Sequence, residues 1–291
     1  MARSPSHKFG QDLGNLLEEI VLDDILKPRL LEFAQAQNYY LDWQRSRAAR
    51  SGKKVTWTDK YGNKHDLDFV IEVNGTDSKL GTPIAFIESA WRRYTKHSKN
   101  KVQEIQGAIL PIIELHNLSA PFYGAVLAGD FTKPALEQLK NNGFTLIYIP
   151  YRDVVAAFSN IDFDIAFDED TIDENYSTAS QKLANLTDND KEKLKKALIL
   201  IAQNEIDNFM ATLKAVIERL ITKVVLIPLF GKQYEFDNID NTLTELNSLD
   251  IDNPVGEFKK FEIIIDYNNG DTIRATFQNK ALLTDFLRKL Q

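Results

Sequence analysis

His65-Asp-Leu-Asp-Phe-Val-Ile-Glu-Val73 and Pro83-Ile-Ala-Phe-Ile-Glu88 are the two stretches that decide how this chain is read. Both are apolar runs of strand length, and each carries acids that a buried strand tolerates only if they are paired or bind metal. Alternation along the first puts His65, Leu67, Phe69 and Ile71 on one face, and Asp66, Asp68, Val70 and Glu72 on the other. The second run ends on Glu88, which is expected to emerge at the sheet edge. Two strand-borne carboxylates brought together repel. A divalent cation relieves that repulsion and gains catalytic use.

Working outward, Lys54-Val-Thr-Trp-Thr58 and the turn Asp59-Lys-Tyr-Gly-Asn-Lys64 lie just upstream, close enough for a hairpin. Before them, residues 13–35 predict a helix from the spacing of Leu13, Leu16, Leu17, Ile20, Val21, Ile25 and Leu26, kinked or ended at Pro28. Residues 36–53 are polar and basic (Arg45, Arg47, Arg50, Lys53), with the aromatics Tyr39, Tyr40 and Trp43 beside them. Downstream, Ser98 is a plausible helix cap, followed by Val102, Ile105, Ile109 and Ile112 on one face, with Pro111 bending the helix. Tyr123-Gly-Ala-Val-Leu-Ala128 reads as a buried strand. A helix at 133–142 ends near Gly143, then come a strand at 144–149 and a helix at 151–158. The order helix, three strands, helix, strand, helix, strand, helix predicts an α/β fold. Its mixed central sheet is antiparallel early, parallel late, and covered by helices on both faces.

Residues 160–180 are acidic and expected to form a linker or exposed loop. A long helix over 188–221, a hairpin of Phe261-Glu-Ile-Ile-Ile-Asp-Tyr267 and Thr272-Ile-Arg-Ala-Thr-Phe277 around Asn268-Asn-Gly270, and a terminal helix at 280–290 follow. The expected division is a core at 1–160, an acidic linker at 161–180 and a C-terminal α+β extension at 181–291.

With no cysteine among 291 residues, disulfides, thiolate metal sites and cysteine nucleophiles are excluded, and the four histidines fit no usual zinc spacing. A metal, if used, is a hard cation held by carboxylates. No run of about 18 apolar residues occurs, and the N-terminus lacks a signal-like apolar stretch, so a cytoplasmic protein with no membrane partner is expected. The net charge of −7 argues weakly against nucleic acid, but charge is unevenly placed. Residues 90–101 hold Arg92, Arg93, Lys96, Lys99 and Lys101 without an acid, whereas 162–174 hold seven acids without a base.

The acids and the element order together resemble the PD-(D/E)xK nuclease superfamily, in particular type II restriction endonucleases. There a hairpin Asp, a Glu or Asp at the end of the next strand, and a Lys two residues later sit on a core of helix, three strands, helix and strand. The resemblance spans roughly half the chain. It implies Asp68, with Asp66 in reserve, and Glu88 as ligands of Mg²⁺ or Mn²⁺, and hydrolysis of phosphodiester bonds in double-stranded DNA. The lysine position falls on Ala90. Three readings account for this: the lysine has moved to the following helix, where Lys96, Lys99 and Lys101 are available; Ala90 is an engineered replacement; or catalysis has been lost. Within Ser98-Lys-Asn-Lys-Val-Gln-Glu104, Lys101 and Glu104 share a helix face. Lys101 is the candidate that orients the attacking water, and Glu104 completes the site. Glu18 or Glu19 is a further outer ligand. Arg92, Arg93, Lys96 and Lys99 would grip the DNA backbone.

The resemblance further implies a homodimer, since cutting both strands of a palindrome needs two active sites. The C-terminal region would then supply target recognition or dimerisation, with Arg274 on a hairpin that suits a DNA groove. Competing readings are a repair or junction nuclease on the same fold, and a degenerate nuclease core that only binds DNA or acts as a scaffold. Taken singly, Asp68 could be an edge-strand ion-pair residue, Glu88 a helix-capping acid, and the basic run a solvated helix face.

Overall fold

The computed structural model describes residues 4–93, 98–117, 121–168, 170–229, 232–251 and 258–290. Two compact units meet in sequence at Leu213/Lys214. This boundary differs from the expected break around 161–180.

The first unit opens with α1 (Pro5–Glu18), a π-helical segment (Glu19–Leu26) and α2 (Lys27–Ala36). Ser4 caps α1 by accepting the His7 N–H, Pro5 opens its first turn, and Phe9, Leu13, Leu16 and Leu17 bury one stripe. The helical run expected from residue 13 is therefore continuous, but its middle is wound wider. Pro28 opens α2, where its missing N–H costs nothing.

Strands β1 (Tyr40–Trp43), β2 (Val55–Thr58), β3 (Lys64–Leu67), β4 (Phe69–Val73) and β5 (Thr82–Arg92) follow. Then α3 (Ser98–Leu115), β6 (Phe122–Gly129), α4 (Lys133–Asn141), β7 (Thr145–Pro150) and α5 (Tyr151–Ser159) complete the sheet and its cover. The central sheet has the order β1-β4-β5-β6-β7, and β2 and β3 form a separate two-stranded ribbon. Pairing is antiparallel for β1–β4 and β4–β5 and parallel for β5–β6 and β6–β7. This is the mixed α/β sheet expected. The parallel strands need helical crossovers, and those helices cover the faces. Val102, Ile105, Ile109 and Ile112 of α3 and Leu139 of α4 share a core with Phe86, Ala90 and Leu127 of the sheet.

Three local expectations change. The strand expected over 65–73 breaks at Asp68, where the chain leaves the ribbon and enters the central sheet. β5 runs on to Arg92, so Glu88 lies inside the middle strand and not at its end. Residues 40–43, read only as part of a polar segment, form the edge strand β1.

Beneath β1 lies a buried ion-pair network. Arg47 Nη1 is 2.8 Å from Asp42 and 2.6 Å from Glu72, and all three side chains are fully buried. Arg50 binds the same Asp42 at 3.1 Å. Arg47 also donates to the carbonyls of Thr76 and Lys79, and Glu72 accepts the Gly81 N–H at 2.6 Å. Every charge in the network thus has a partner, which a buried ion requires.

The acidic stretch after α5 is not simply a linker. It contains α6 (Asp173–Ala184), which packs along α1, with Tyr176 buried against Phe9 and Phe167. Helix α7 (Asp188–Glu218) buries Leu194, Leu198, Ala202, Ile206, Phe209 and Leu213, and Phe209 meets Phe122 of β6 edge-on.

The second unit carries β8 (Ile221–Ile227), β9 (Tyr234–Phe236), α8 (Ile239–Ser248), β10 (Phe261–Tyr267), β11 (Thr272–Phe277) and α9 (Lys280–Arg288). Its sheet has the order β11-β10-β8-β9. The β10–β11 hairpin and the terminal helix match expectation; β8, β9 and α8 were not read from the sequence. Val224, Leu226, Phe261, Ile263 and Ile265 form its core with Leu246, Leu283 and Leu287 of the two helices. Arg274 lies 3.5 Å from Glu262 on the neighbouring strand. No described helix is long and apolar enough to cross a membrane.

Candidate functional site

The antiparallel register of β4 and β5 pairs Phe69 with Ile87 and Val70 with Phe86. Continued by one residue, it brings Asp68 opposite Glu88, and the charge of Asp68 acts on Glu88. Asp68 is not itself in the ladder. Its Oδ2 accepts the Ser89 N–H at 2.7 Å, so a side chain satisfies a backbone donor where the strand breaks.

Both acids are partly buried. Burial pushes Asp68 above the ordinary aspartate range, opposed by its hydrogen bonds to Ser89 and by the charge of Lys101. Burial first, and then the charge of Asp68, pushes Glu88 up to about 8, again opposed by Lys101. Glu88 Oε2 is buried and has no hydrogen-bond partner among the described residues. Glu18, on the exposed side of the end of α1, is raised by partial desolvation and by the charges of Asp68 and Asp23. Three acids thus converge near one lysine.

Lys101 comes from the first turns of α3, and its charge acts on both acids. Its side chain is 20 % exposed and lies 3.5 Å from Glu104. Ala90, two residues beyond Glu88 on the same strand face, is packed into the apolar core with Val102 and Ile105 of that helix. A clefted space of about 260 Å³ runs between α1 and β5, lined by Glu18, Ser89, Ala90, Trp91, Arg92 and Lys101 among others. Gly14 lets Trp91 lie against α1, and the indole N–H donates to the Gly10 carbonyl at 3.1 Å.

The remaining sequence candidates separate. Asp66 is on the ribbon, bonded to Lys54 and Thr56 and held below the usual carboxylate range by them, so Asp68 is the acid that faces Glu88. Glu19 pairs with Lys191 at 2.8 Å, which leaves Glu18 as the helix acid at the site. Glu104 is exposed and associates with Lys101 and, at 3.9 Å, Arg92, so it sits with the cations and is not the third carboxylate of the acid pair. Arg93 is buried, stacked over Tyr176 and bonded to its hydroxyl, and thus ties β5 to α6 instead of facing solvent as a backbone grip. Lys99 is exposed on α3 and Arg92 is part-exposed. Lys96 lies outside the described residues.

Among the described residues no three Asp, Glu or His side chains are close enough to form a metal cage by themselves. Two carboxylates, one with an orphaned buried oxygen, are nonetheless the donor set that Mg²⁺ uses when it keeps several waters and takes further oxygens from a phosphate. The residues present fit such an ion.

Residues that the sequence left unassigned also reach this region. A second cleft of about 320 Å³, on the other side of Glu18, is lined by Trp43, Gln44, Lys53, Asp23 and Asp68. The only signal for it in the sequence was the aromatic and basic character of 39–54.

No family model matches the chain, and no curated protein matches it. A crystal structure of a protein of unknown function, AF1548, is similar at 11% identity with a TM-score of 0.28, covering 61% of this chain and 97% of that one. The molecule is thus an α/β protein with a mixed sheet, defined by its own geometry, with an acid pair on the middle strand.

Proposed function

We propose that this chain is a metal-dependent endodeoxyribonuclease on a restriction-endonuclease-like core, and in its simplest form a type II restriction enzyme acting on duplex DNA as a homodimer. One observation carries the reading. Asp68 and Glu88 come together from adjacent strands, one Glu88 oxygen is buried without a hydrogen-bond partner among the described residues, and the Lys101 charge acts on both acids. A pair of acids so displaced from the ordinary carboxylate range is a functional candidate.

Asp68 and Glu88 would hold Mg²⁺ or Mn²⁺, which when bound supplies charge neutralisation at the scissile phosphate and a lowered pKa for a coordinated water. Lys101 orients the attacking water and stabilises charge that develops on the phosphoryl oxygens. Glu18 fixes water from the α1 side. Arg92 and Lys99, with Lys96, supply contacts to the DNA backbone. Of the three accounts of Ala90, relocation of the lysine is favoured, because Lys101 approaches the acid pair from the helix packed over Ala90. The second unit would provide target recognition or the dimer contact.

A DNA-binding protein on a degenerate core is the second reading, favoured by one observation: the usual lysine position holds an alanine inside the apolar core. Plasmid cleavage in Mg²⁺ separates the two. Discrete fragments, abolished by Asp68→Ala and by Glu88→Ala, support the nuclease. DNA binding without cleavage at any Mg²⁺ or Mn²⁺ concentration supports the degenerate reading.

A further inference from the structure

We propose that Trp43, Gln44 and Lys53 form a nucleotide subsite beside the acid pair, which receives an unstacked nucleotide adjoining the scissile phosphate; this rests on the nuclease reading. The placement follows from a shared cleft at the end of the sheet. β1 pairs with β4 so that Trp43 faces Phe69, one residue from Asp68. Trp43 and Asp68 then line one cleft of about 320 Å³ together with Gln44 and Lys53.

The ring stands on a rigid mount. Its neighbour Asp42 is fully buried between Arg47 and Arg50, and Arg50 Nη2 donates to the Trp43 carbonyl at 2.9 Å. The Arg45 guanidinium lies 4.3 Å from the Trp43 ring centroid. A cation over an indole is a favourable stack and fixes the ring's orientation. Lys53 is exposed and makes no ion pair with any described residue. Gln44, also exposed, brings an amide with both donors and an acceptor.

An indole, a free ammonium and an amide around one cleft match the three parts of a nucleotide: the base face, the phosphate and the base edge. The acids lining the cleft repel an anion, which leaves Lys53 as the phosphate contact. A base inside B-form duplex has both faces covered by its neighbours, so it has no face to offer Trp43. The nucleotide received is therefore extrahelical, at a strand end, a gap or a flipped position.

The test is equilibrium binding to the full chain in Ca²⁺, read by fluorescence anisotropy, with two probes: a short single-stranded oligodeoxynucleotide, and the same sequence in a duplex closed by hairpins at both ends. Trp43→Ala is expected to weaken single-strand binding about tenfold or more, the scale of losing one base–aromatic stack, with a smaller effect on the closed duplex and partial recovery in Trp43→Phe. Lys53→Ala is expected to lower the slope of log affinity against log salt by about 0.7 on the single strand. Lys53 is exposed, so this variant decides the matter even if Trp43→Ala fails to fold. Intact affinity and salt slope in Lys53→Ala, with unchanged single-strand binding in any folded Trp43 variant, overturn the subsite while leaving the nuclease reading in place. Absence of binding to either DNA by the unmodified protein overturns both.

Discussion

Asp68 accepts the backbone N–H of Ser89 at 2.7 Å, so the carboxylate at the break just before β4 is fastened to the strand that carries Glu88. An asparagine at position 68 keeps an oxygen for that bond but removes the charge. Asp68→Asn is expected to fold, to lose DNA cleavage, and to be at least as stable as the parent in metal-free buffer near neutral pH, because it removes a charge that burial disfavours. Thermal melting and plasmid cleavage on one preparation check both halves. A large loss of stability would mean that the charge itself holds the strand junction.

The acid pair makes the metal-free protein sensitive to pH in a defined direction. Glu88 titrates at about 8 in the folded chain, above its ordinary value. Between those two values the folded state keeps a proton that the unfolded state has released. Its contribution is therefore fully present at low pH and is lost as pH rises through about 8. Glu18 and Asp68 are displaced in the same direction and add to the trend. Unfolding free energies measured by urea denaturation in chelator should fall from about pH 5 to about pH 8, by an amount on the order of a few kcal/mol. Glu88→Gln should flatten the profile. A midpoint that rises over this interval in the parent protein would contradict the burial of these acids.

Lys101 and Ala90 test where the positive charge belongs. Lys101→Ala is expected to reduce cleavage by roughly 100-fold or more, as loss of a group that stabilises transition-state charge does, while leaving DNA affinity nearly intact. Adding Ala90→Lys to that variant should restore part of the rate, because position 90 follows Glu88 on the same strand face. Alone, Ala90→Lys should lower stability, since the alanine is packed against Val102 and Ile105. Equal cleavage by Lys101→Ala and the parent would remove Lys101 from the reaction.

Arg47 is the keystone of the buried network, bonded to Asp42, Glu72 and two loop carbonyls. Arg47→Met leaves two buried carboxylates without their shared partner. The expected cost is about 3–5 kcal/mol, measured by urea denaturation. Asp42→Asn combined with Glu72→Gln in the Arg47→Met background should recover much of it, because the uncompensated charges are then gone.

Gly14 offers a fold-based test of the cleft wall. A Cβ there would stand 2.7 Å from Trp91 Cδ1. Gly14→Ala is expected to displace the indole, seen as a change in tryptophan emission, and to cost more stability than the helix propensity of alanine returns. Gly10→Ala, with nothing within 4 Å of its added Cβ, is the matched control.

What the sequence disclosed depended on whether a residue's partner was near or far along the chain. The stripes of α1 and α3, the runs of β6 and β7 and the β10–β11 hairpin are local patterns, and they were readable. Strand β1 was hidden because Asp42 looks like a solvent residue until Arg47 and Arg50 are folded beside it. The break at Asp68 was hidden because its alternating pattern continues unchanged from Leu67 to Phe69; only the capture of the Ser89 N–H reveals it. Helix α6 was hidden by its acidic flank, since Tyr176 has its packing partner, Phe9, far away near the N-terminus. Asp68 and Glu88 were legible because acids in apolar runs are costly. Trp43 and Lys53 were not assigned to the site, because the register that brings β1 beside Asp68 is not local information.

The loop between β4 and β5 carries one last consequence. Asn74-Gly-Thr-Asp-Ser-Lys-Leu-Gly81 is exposed over most of its length and has the composition at which proteases commonly enter a folded chain. Here its carbonyls at Thr76 and Lys79 are held by Arg47, its Gly81 N–H by Glu72, and its Asp77 side chain by Arg45 and Tyr40. Cleavage requires a segment to lift away and extend into the protease, and lifting this one would strip partners from ions inside the protein. The loop is therefore visible to an enzyme in solution without being digestible, and its susceptibility should follow global unfolding instead of local fraying.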